Sequence, residues 1–116
     1  MSMVKRSEAT EQEAVVNYCA YNGILIYAIP NGGKRNRTEA ANLKRQGVKA
    51  GVPDLCVPVA RRGFHGLYIE MKYGKNTTTA KQDEWLNDLN REGYLAKVCH
   101  GYDEAIELLK YYFAEG

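Results

Sequence analysis

The stretch Gly66–Lys75, "GLYIEMKYGK", is the most strand-like segment of the 116-residue chain, yet it carries Glu70 and Lys72. Side chains two positions apart on a strand project to the same face. We therefore expect these two charges together, with Ile69 and Met71 on the opposite face. Burying an isolated charge is costly, so the pair needs mutual compensation, water at a strand end or a bound ion. A solvent-exposed salt bridge is the simplest interpretation of Glu-x-Lys alone, because exposed pairs cost almost nothing.

A second carboxylate belongs to the preceding strand. Asp54 follows Gly51 and Pro53 in "KAGVPDLCV", where a turn ends and a strand begins. Only "ARRGFH" separates "DLCVPV" from "GLYIEMK", which predicts an antiparallel hairpin with Asp54 at a sheet margin beside the strand of Glu70. Two converging carboxylates repel each other unless they are protonated or bridged by a cation, and hard oxygen ligands favour Mg²⁺ or Mn²⁺. Such an ion lowers the pKa of a bound water, and Lys72 can orient that water beside a phosphate.

The rest of the chain predicts an α/β protein in the order α, β, α, β, β, α, β, α. The elements outside the hairpin are a helix over Glu8–Tyr21, a strand over Ile24–Ile29, a helix capped by Thr38, a helix capped by Thr79, a strand in "YLAKVC" and a helix capped by Asp103. Strands joined through helical crossovers indicate a mixed sheet with helices on its faces. We expect Tyr27, Tyr68 and Trp85 to lie in the core.

Composition is that of an ordinary globular protein, with 45% hydrophobic and 26% charged residues, and we expect a single domain over residues 1–116. The sequence has no apolar run of membrane-spanning length and no basic-then-apolar leader, which favours a cytoplasmic protein without a membrane partner. Cys19, Cys56 and Cys99 are odd in number and far apart, so we expect reduced core thiols rather than disulfides or a zinc site.

Positive charge is concentrated in the segment Lys34–Arg62. It holds eight basic residues against Glu39 and Asp54, a net charge of +6, whereas the whole chain carries +2. A solvated face and a phosphate-binding surface both explain such a cluster, and composition does not decide between them.

Pro-Asp followed by Glu-x-Lys on the next strand resembles the PD-(D/E)xK nuclease superfamily. With "IPNGGKR", "LKRQGVKAGVPDL", "KQDEWLNDLNREGY" and "GYDEA" added, the sequence is similar to the VRR-NUC domain in its small stand-alone form of phages and bacteria. The similarity extends from about Glu8 to Phe113. It implies a restriction-endonuclease-like fold, an αβββαβ core with the Thr38 helix inserted and the last helix appended. It also implies hydrolysis of phosphodiester bonds with a divalent metal.

The resemblance assigns roles to several residues. Asp54 and Glu70 match the family's metal-binding acids, Lys72 matches its catalytic lysine, and Gln82 matches a glutamine that follows on the next helix. Gln82 also stands where a capping-box partner of Thr79 is expected.

A further metal-binding acid is expected from the first helix. Glu8 fits the family's pattern best and Glu11 second, whereas Glu13 can complete a capping box with Thr10.

Asn31 and Arg35 match the family's "N-G-G-x-R" loop. We expect phosphate contacts from a set of basic residues: Lys34, Arg35, Arg37, Lys44, Arg45 and Lys49. His65 and His100 are interpreted as polar residues near turns, without a ligand role.

The expected function is that of a metal-dependent DNA endonuclease acting on branched DNA such as a four-way junction. A homodimer would present two active sites to paired strands. The alternatives are a nucleic-acid-binding module of the same fold that does not cut, and an α/β domain whose Glu70 and Lys72 form a mere salt bridge.

Overall fold

In the computed structural model, which describes residues 5–30 and 36–115, a mixed four-stranded sheet is flanked by four helices. In chain order the elements are α1 (Glu8–Tyr21), β1 (Tyr27–Ala28), α2 (Arg37–Arg45), β2 (Leu55–Val57), β3 (Leu67–Lys72), α3 (Ala80–Arg91), β4 (Leu95–His100) and α4 (Tyr102–Phe113). The strand order is β1-β2-β3-β4; the first three strands are antiparallel, and β4 runs parallel to β3 through the α3 crossover. The predicted restriction-endonuclease-like α/β fold is confirmed.

The β2–β3 hairpin sets the register of the sheet. Leu55 pairs with Ile69, and an Arg61–Phe64 bridge closes the connection between the strands. The antiparallel pairing predicted for these two segments is therefore confirmed. Because antiparallel partners keep a constant sum of residue numbers, Asp54 lies opposite Glu70, one position beyond the end of β2.

One face of the sheet carries the hydrophobic core. Ile69 and Met71 of β3 are fully buried there, together with Leu55 and Val57 of β2. The helices α1 and α4 cover this face with a set of buried side chains: Val15, Cys19, Ala105, Ile106, Leu109 and Tyr112. The alternation of β3 thus directs its aliphatic side chains into the core and turns Glu70 and Lys72 to the other face.

The first strand is much shorter than predicted. Only Tyr27 and Ala28 pair with β2, whereas Ile24 and Ile26 are half-buried against the core without belonging to the strand. Since β1 is an edge strand, Tyr27 is 51% exposed, and its predicted place in the core was wrong. Tyr68 and Trp85 are half-buried rather than fully enclosed.

Two helices begin earlier than predicted. Asn36, not Thr38, caps α2, because its side-chain oxygen accepts the Glu39 backbone N–H at 2.8 Å. Gly101, not Asp103, precedes α4 and has φ of 95° without a side-chain cap, so that Asp103 lies in the first turn.

The capping box predicted for α3 is present, whereas the one predicted for α1 is not. Ser7 and Thr10 form the capping box of α1, so the one predicted between Thr10 and Glu13 was wrong. Thr79 and Gln82 form the predicted capping box of α3.

Cys19, Cys56 and Cys99 are buried free thiols, as predicted. Among residues 5–30 and 36–115, no helix combines the length and the apolar character needed to cross a membrane.

Candidate metal and catalytic site

Three carboxylates converge at the end of the β2–β3 hairpin. Glu8 is the first residue of α1, Asp54 immediately precedes β2, and Glu70 lies in β3. Each offers one oxygen, and these oxygens all lie within 4.8 Å of one another. In the part of the chain that the structure describes, this is the one group of three or more acidic, histidine or cysteine side chains with metal-site spacing. We refer to it as the acidic cluster.

Backbone hydrogen bonds hold Asp54 in place at the margin of the sheet. Its carbonyl oxygen accepts the Ile29 N–H at 2.8 Å, and its Oδ2 accepts the Met71 N–H, also at 2.8 Å. Pro53, which precedes it, is buried. The carboxylate therefore takes the position of a ladder partner for β3 and is oriented before any ligand binds.

Glu70 is the buried member of the cluster, with 2% of its surface exposed. Its Oε2 lies 3.7 Å from the Lys72 Nζ, whereas its Oε1 is buried without a hydrogen-bond partner among the described residues. Burial, followed by the negative charge of Asp54, raises the pKa of Glu70 to about 8, although Lys72 opposes the shift. Without a cation, this carboxyl group is therefore mostly protonated at neutral pH.

Gln82 combines the two roles that its position allows. Its Oε1 accepts the Thr79 N–H at 2.9 Å, as a capping box requires. Its side-chain amide donates to Glu70 Oε2 at 3.4 Å. Because α3 anchors this amide, Gln82 helps to fix the orientation of the Glu70 carboxyl group.

The alternative first-helix acid, Glu11, has other partners. It forms an ion pair with Arg6 at 2.7 Å and accepts the Tyr102 N–H at 3.2 Å. The hydrogen bond from Arg6, followed by that from Tyr102, lowers the pKa of Glu11. Glu11 therefore connects α1 to the start of α4, and the geometry favours Glu8 as the third acid.

The donor set fits a small divalent cation. Three carboxylate oxygens are the hard ligands that Mg²⁺ and Mn²⁺ prefer, with waters completing the coordination. The buried Glu70 Oε1, which has no hydrogen-bond partner among the described residues, is available as a ligand atom. The acidic cluster can thus bind a metal ion.

Sequence reasoning missed a contact between the loop before Asp54 and helix α3. The Trp85 indole N–H donates to the Ala50 carbonyl at 3.1 Å. Gly51, with φ of 90°, approaches α3 so closely that a Cβ there would lie 2.8 Å from the Lys81 carbonyl carbon. The lone tryptophan and the Gly-x-Pro-Asp turn were the available signals. Through this contact, the loop before Asp54 packs against the turn of α3 that carries Gln82.

The predicted nucleic-acid contacts are only partly described. Arg37 and Lys44 of α2 and Lys49 of the following loop are exposed, and α2 buries no residue. Asn31, Lys34 and Arg35 lie outside the described residues. These three exposed side chains can therefore contact solvent or a phosphate backbone.

The two histidines lie outside the acidic cluster. His65 packs edge-on against Tyr94, and a ring nitrogen of His100 is 3.0 Å from the Asn76 carbonyl oxygen. Both positions agree with the interpretation of polar residues near turns.

The mixed sheet, its helices and the acidic cluster define a nuclease-type domain. The chain belongs to the VRR-NUC domain family, because the family's sequence model matches residues 6–103. Among solved structures, it is similar to a VRR_NUC domain protein with a TM-score of 0.81 and 34% identity, over 96% of this chain and 91% of that chain. No curated protein matches the chain. The predicted family membership is confirmed.

Proposed function

We propose that this protein is a divalent-metal-dependent DNA endonuclease that hydrolyses phosphodiester bonds. The observation that carries the proposal is the buried, unpartnered Oε1 of Glu70 within an acidic cluster whose oxygens lie within 4.8 Å of one another. Glu8, Asp54 and Glu70 would hold Mg²⁺ or Mn²⁺. When bound, such an ion lowers the pKa of a water molecule and neutralises negative charge on a phosphate.

Lys72 is the cation that the chain itself supplies. Its side chain is only 11% exposed and its Nζ lies 3.7 Å from Glu70 Oε2, which is too long for a strong hydrogen bond. The ammonium group can therefore donate to an attacking water or to a phosphate oxygen. Because the Lys72 side chain is largely shielded from solvent, its charge stabilises developing negative charge more strongly than that of an exposed lysine would.

Gln82 and the backbone of β3 act as positioning groups. The Gln82 amide restrains Glu70, and the Met71 N–H restrains Asp54. Both carboxylates thus keep their geometry while the substrate binds, which reduces the reorganisation needed in the transition state.

The proposed substrate is branched DNA, such as a four-way junction, in a bacterial or phage-infected cell. The exposed Arg37, Lys44 and Lys49, together with Arg35, would bind phosphates without reading base sequence. We further propose one domain over residues 1–116 and a homodimer as the active form, so that two sites reach paired strands. If light scattering gave only the monomer mass while junctions were cut symmetrically, the dimer would be ruled out.

A cleavage assay tests the proposal. Labelled linear, flap and four-way-junction DNA are incubated with wild type, Asp54→Asn and Lys72→Met, each with Mg²⁺, Mn²⁺ or chelator. Glu13→Gln, an exposed acid on α1 outside the acidic cluster, serves as the control. We expect cutting only with metal, lost in both site variants and retained in the control.

Two other results of this assay would contradict the endonuclease proposal. Binding of DNA without cutting under any condition would favour the binding module of the same fold. Neither binding nor cutting would leave a domain whose charged pair in β3 is merely structural.

A further inference from the structure

The sheet face that carries Glu70 also carries a row of aromatic side chains. The register places Tyr27 of β1, Cys56 of β2 and Tyr68 of β3 side by side on this face. Tyr94, just before β4, contacts the Tyr68 ring edge-on with centroids 5.3 Å apart. We call Tyr27, Tyr68 and Tyr94 the aromatic row.

Helices cover this face only in part. The core cluster with α1 and α4 lies on the other face. On the face of the aromatic row, α3 packs on β4, and its Asn90 side chain bonds the Ala96 backbone N–H and carbonyl. Tyr27 is 51% exposed and Tyr68 is half-buried, so part of this aromatic surface remains open to solvent.

The aromatic row is continuous with the acidic cluster. Tyr68 precedes Glu70 by two residues on the same strand and the same face, about 7 Å away along the strand. One nucleotide of an extended strand spans such a distance. A base attached next to a phosphate at the acidic cluster can thus reach the Tyr68 edge of the row.

Positive charge lies beside the same site. The exposed Lys49 is two residues before Gly51, whose backbone contacts Lys81 of α3, also exposed. The next residue, Gln82, contacts Glu70. Two exposed lysines thus belong to the loop before Asp54 and to the helix that carries Gln82, and their charge complements a phosphate backbone better than a second copy of this basic chain.

We propose that the aromatic row stacks an unpaired nucleobase adjacent to the phosphate that is cut. The substrate class would then be DNA with a single-stranded stretch at the cleavage point, since bases in a duplex are stacked on each other and unavailable. Stacking on an aromatic ring tolerates every base, so the contact would select DNA structure rather than sequence. This inference rests on the proposed function and assigns its substrate class.

The test compares binding of two DNAs of equal length, one fully paired and one with an internal unpaired stretch. Fluorescence anisotropy in chelator gives the dissociation constants for wild type, Tyr27→Leu and Tyr27→Phe. Tyr111→Leu is the matched control, because Tyr111 is 46% exposed and lies on α4 at the other face. Tyr27 is exposed enough for its replacement to preserve the fold, which thermal unfolding would check.

We expect Tyr27→Leu to weaken binding of the unpaired DNA by about tenfold and to change duplex binding by less than about twofold. Tyr27→Phe, which keeps the ring, should bind both DNAs like wild type, and so should Tyr111→Leu. Equal losses on both DNAs, or no loss at all, would overturn the inference. A change in molecular mass of Tyr27→Leu by light scattering would overturn it too, because the face would then be a contact between copies.

Cleavage separates this inference from the proposed function. If wild type cuts DNA but Tyr27→Leu keeps the wild-type preference for unpaired DNA, the inference alone fails. If wild type binds unpaired DNA through Tyr27 but never cuts it with Mg²⁺ or Mn²⁺, the proposed endonuclease activity fails and the stacking surface stands. If wild type binds neither DNA and also cuts neither with Mg²⁺ or Mn²⁺, both are overturned.

Discussion

The two faces of one strand, β3, follow different physical rules. The side chains of Ile69 and Met71 enter an apolar core closed by α1 and α4. On the other face, Glu70 and Lys72 are also buried, yet Glu70 keeps an unpartnered oxygen and a raised pKa. The first face is arranged for stability, whereas the second holds charges that are only partly compensated by the described residues.

The largest expected effect falls on the charged face. Lys72→Met should lower the cleavage rate by about 10²- to 10³-fold, because it removes a buried positive donor aimed at developing charge. Stability should change little, since methionine fills a similar volume. Single-turnover kinetics on branched DNA measure this effect, with the exposed Lys75→Met as control. Cleavage at the wild-type rate in Lys72→Met would show that the lysine is structural.

The core face should respond in the opposite way. Ile69→Ala should lower the free energy of unfolding by about 2–5 kcal/mol, because it leaves a cavity in a fully buried site. At a temperature where the variant remains folded, its cleavage rate should stay near that of wild type. Urea unfolding followed by circular dichroism gives the loss. A loss below about 1 kcal/mol would mean that this face is less tightly packed than the burial of Ile69 indicates.

Stability of the metal-free protein should depend on pH through Glu70. Its pKa rises from an ordinary value of 4.5 to about 8 in the folded chain. Between these values the folded state holds a proton that the unfolded state releases, so the free energy of unfolding should fall as pH rises from about 4.5 to about 8. Urea titrations across this range measure the slope for wild type and Glu70→Gln.

Glu70→Gln should remove most of this slope and unfold at a higher urea concentration at pH 8. Mn²⁺ should restore stability to wild type, because a bound cation compensates the ionised carboxylate. If the free energy of unfolding of Glu70→Gln fell with pH as steeply as that of wild type, a group other than Glu70 would cause the pH dependence.

The smallest expected effect concerns the positioning of Glu70. Gln82→Ala should weaken metal binding or cleavage by about 10- to 100-fold, as is typical for groups that orient metal ligands. Thr79→Ala is the matched control, because it removes the same capping box but leaves the Gln82 amide on Glu70. Thr79→Ala should lower the free energy of unfolding by about 1 kcal/mol and leave metal affinity unchanged. If both variants lost metal affinity equally, the cap rather than the amide would be responsible.

The sequence predicts the local features of the fold well. The alternation in β3, the hairpin with β2 and the Thr79 cap of α3 are all short-range, so nearby residues are sufficient to predict them. The opposition of Asp54 and Glu70 follows from the same hairpin, which explains why the centre of the candidate site could be predicted.

Long-range contacts account for what sequence reasoning missed. The choice between Glu8 and Glu11, which the sequence left open, depends on such a contact, because Glu11 bonds the N–H of Tyr102, 91 positions away in the chain. The Trp85 contact with Ala50 joins residues 35 positions apart. The exposure of Tyr27 depends on β1 being an edge strand, which its own apolar sequence does not show.

Calorimetric titration of Mn²⁺ into the protein tests most directly whether the charged face of β3 binds a metal ion. We expect one site in wild type, unchanged in Glu13→Gln, and weakened by at least about 100-fold in Asp54→Asn and in Glu70→Gln. Wild-type affinity in Glu70→Gln, or no binding by the wild-type protein, would contradict a metal site at the acidic cluster and leave the Glu70–Lys72 pair as a structural salt bridge.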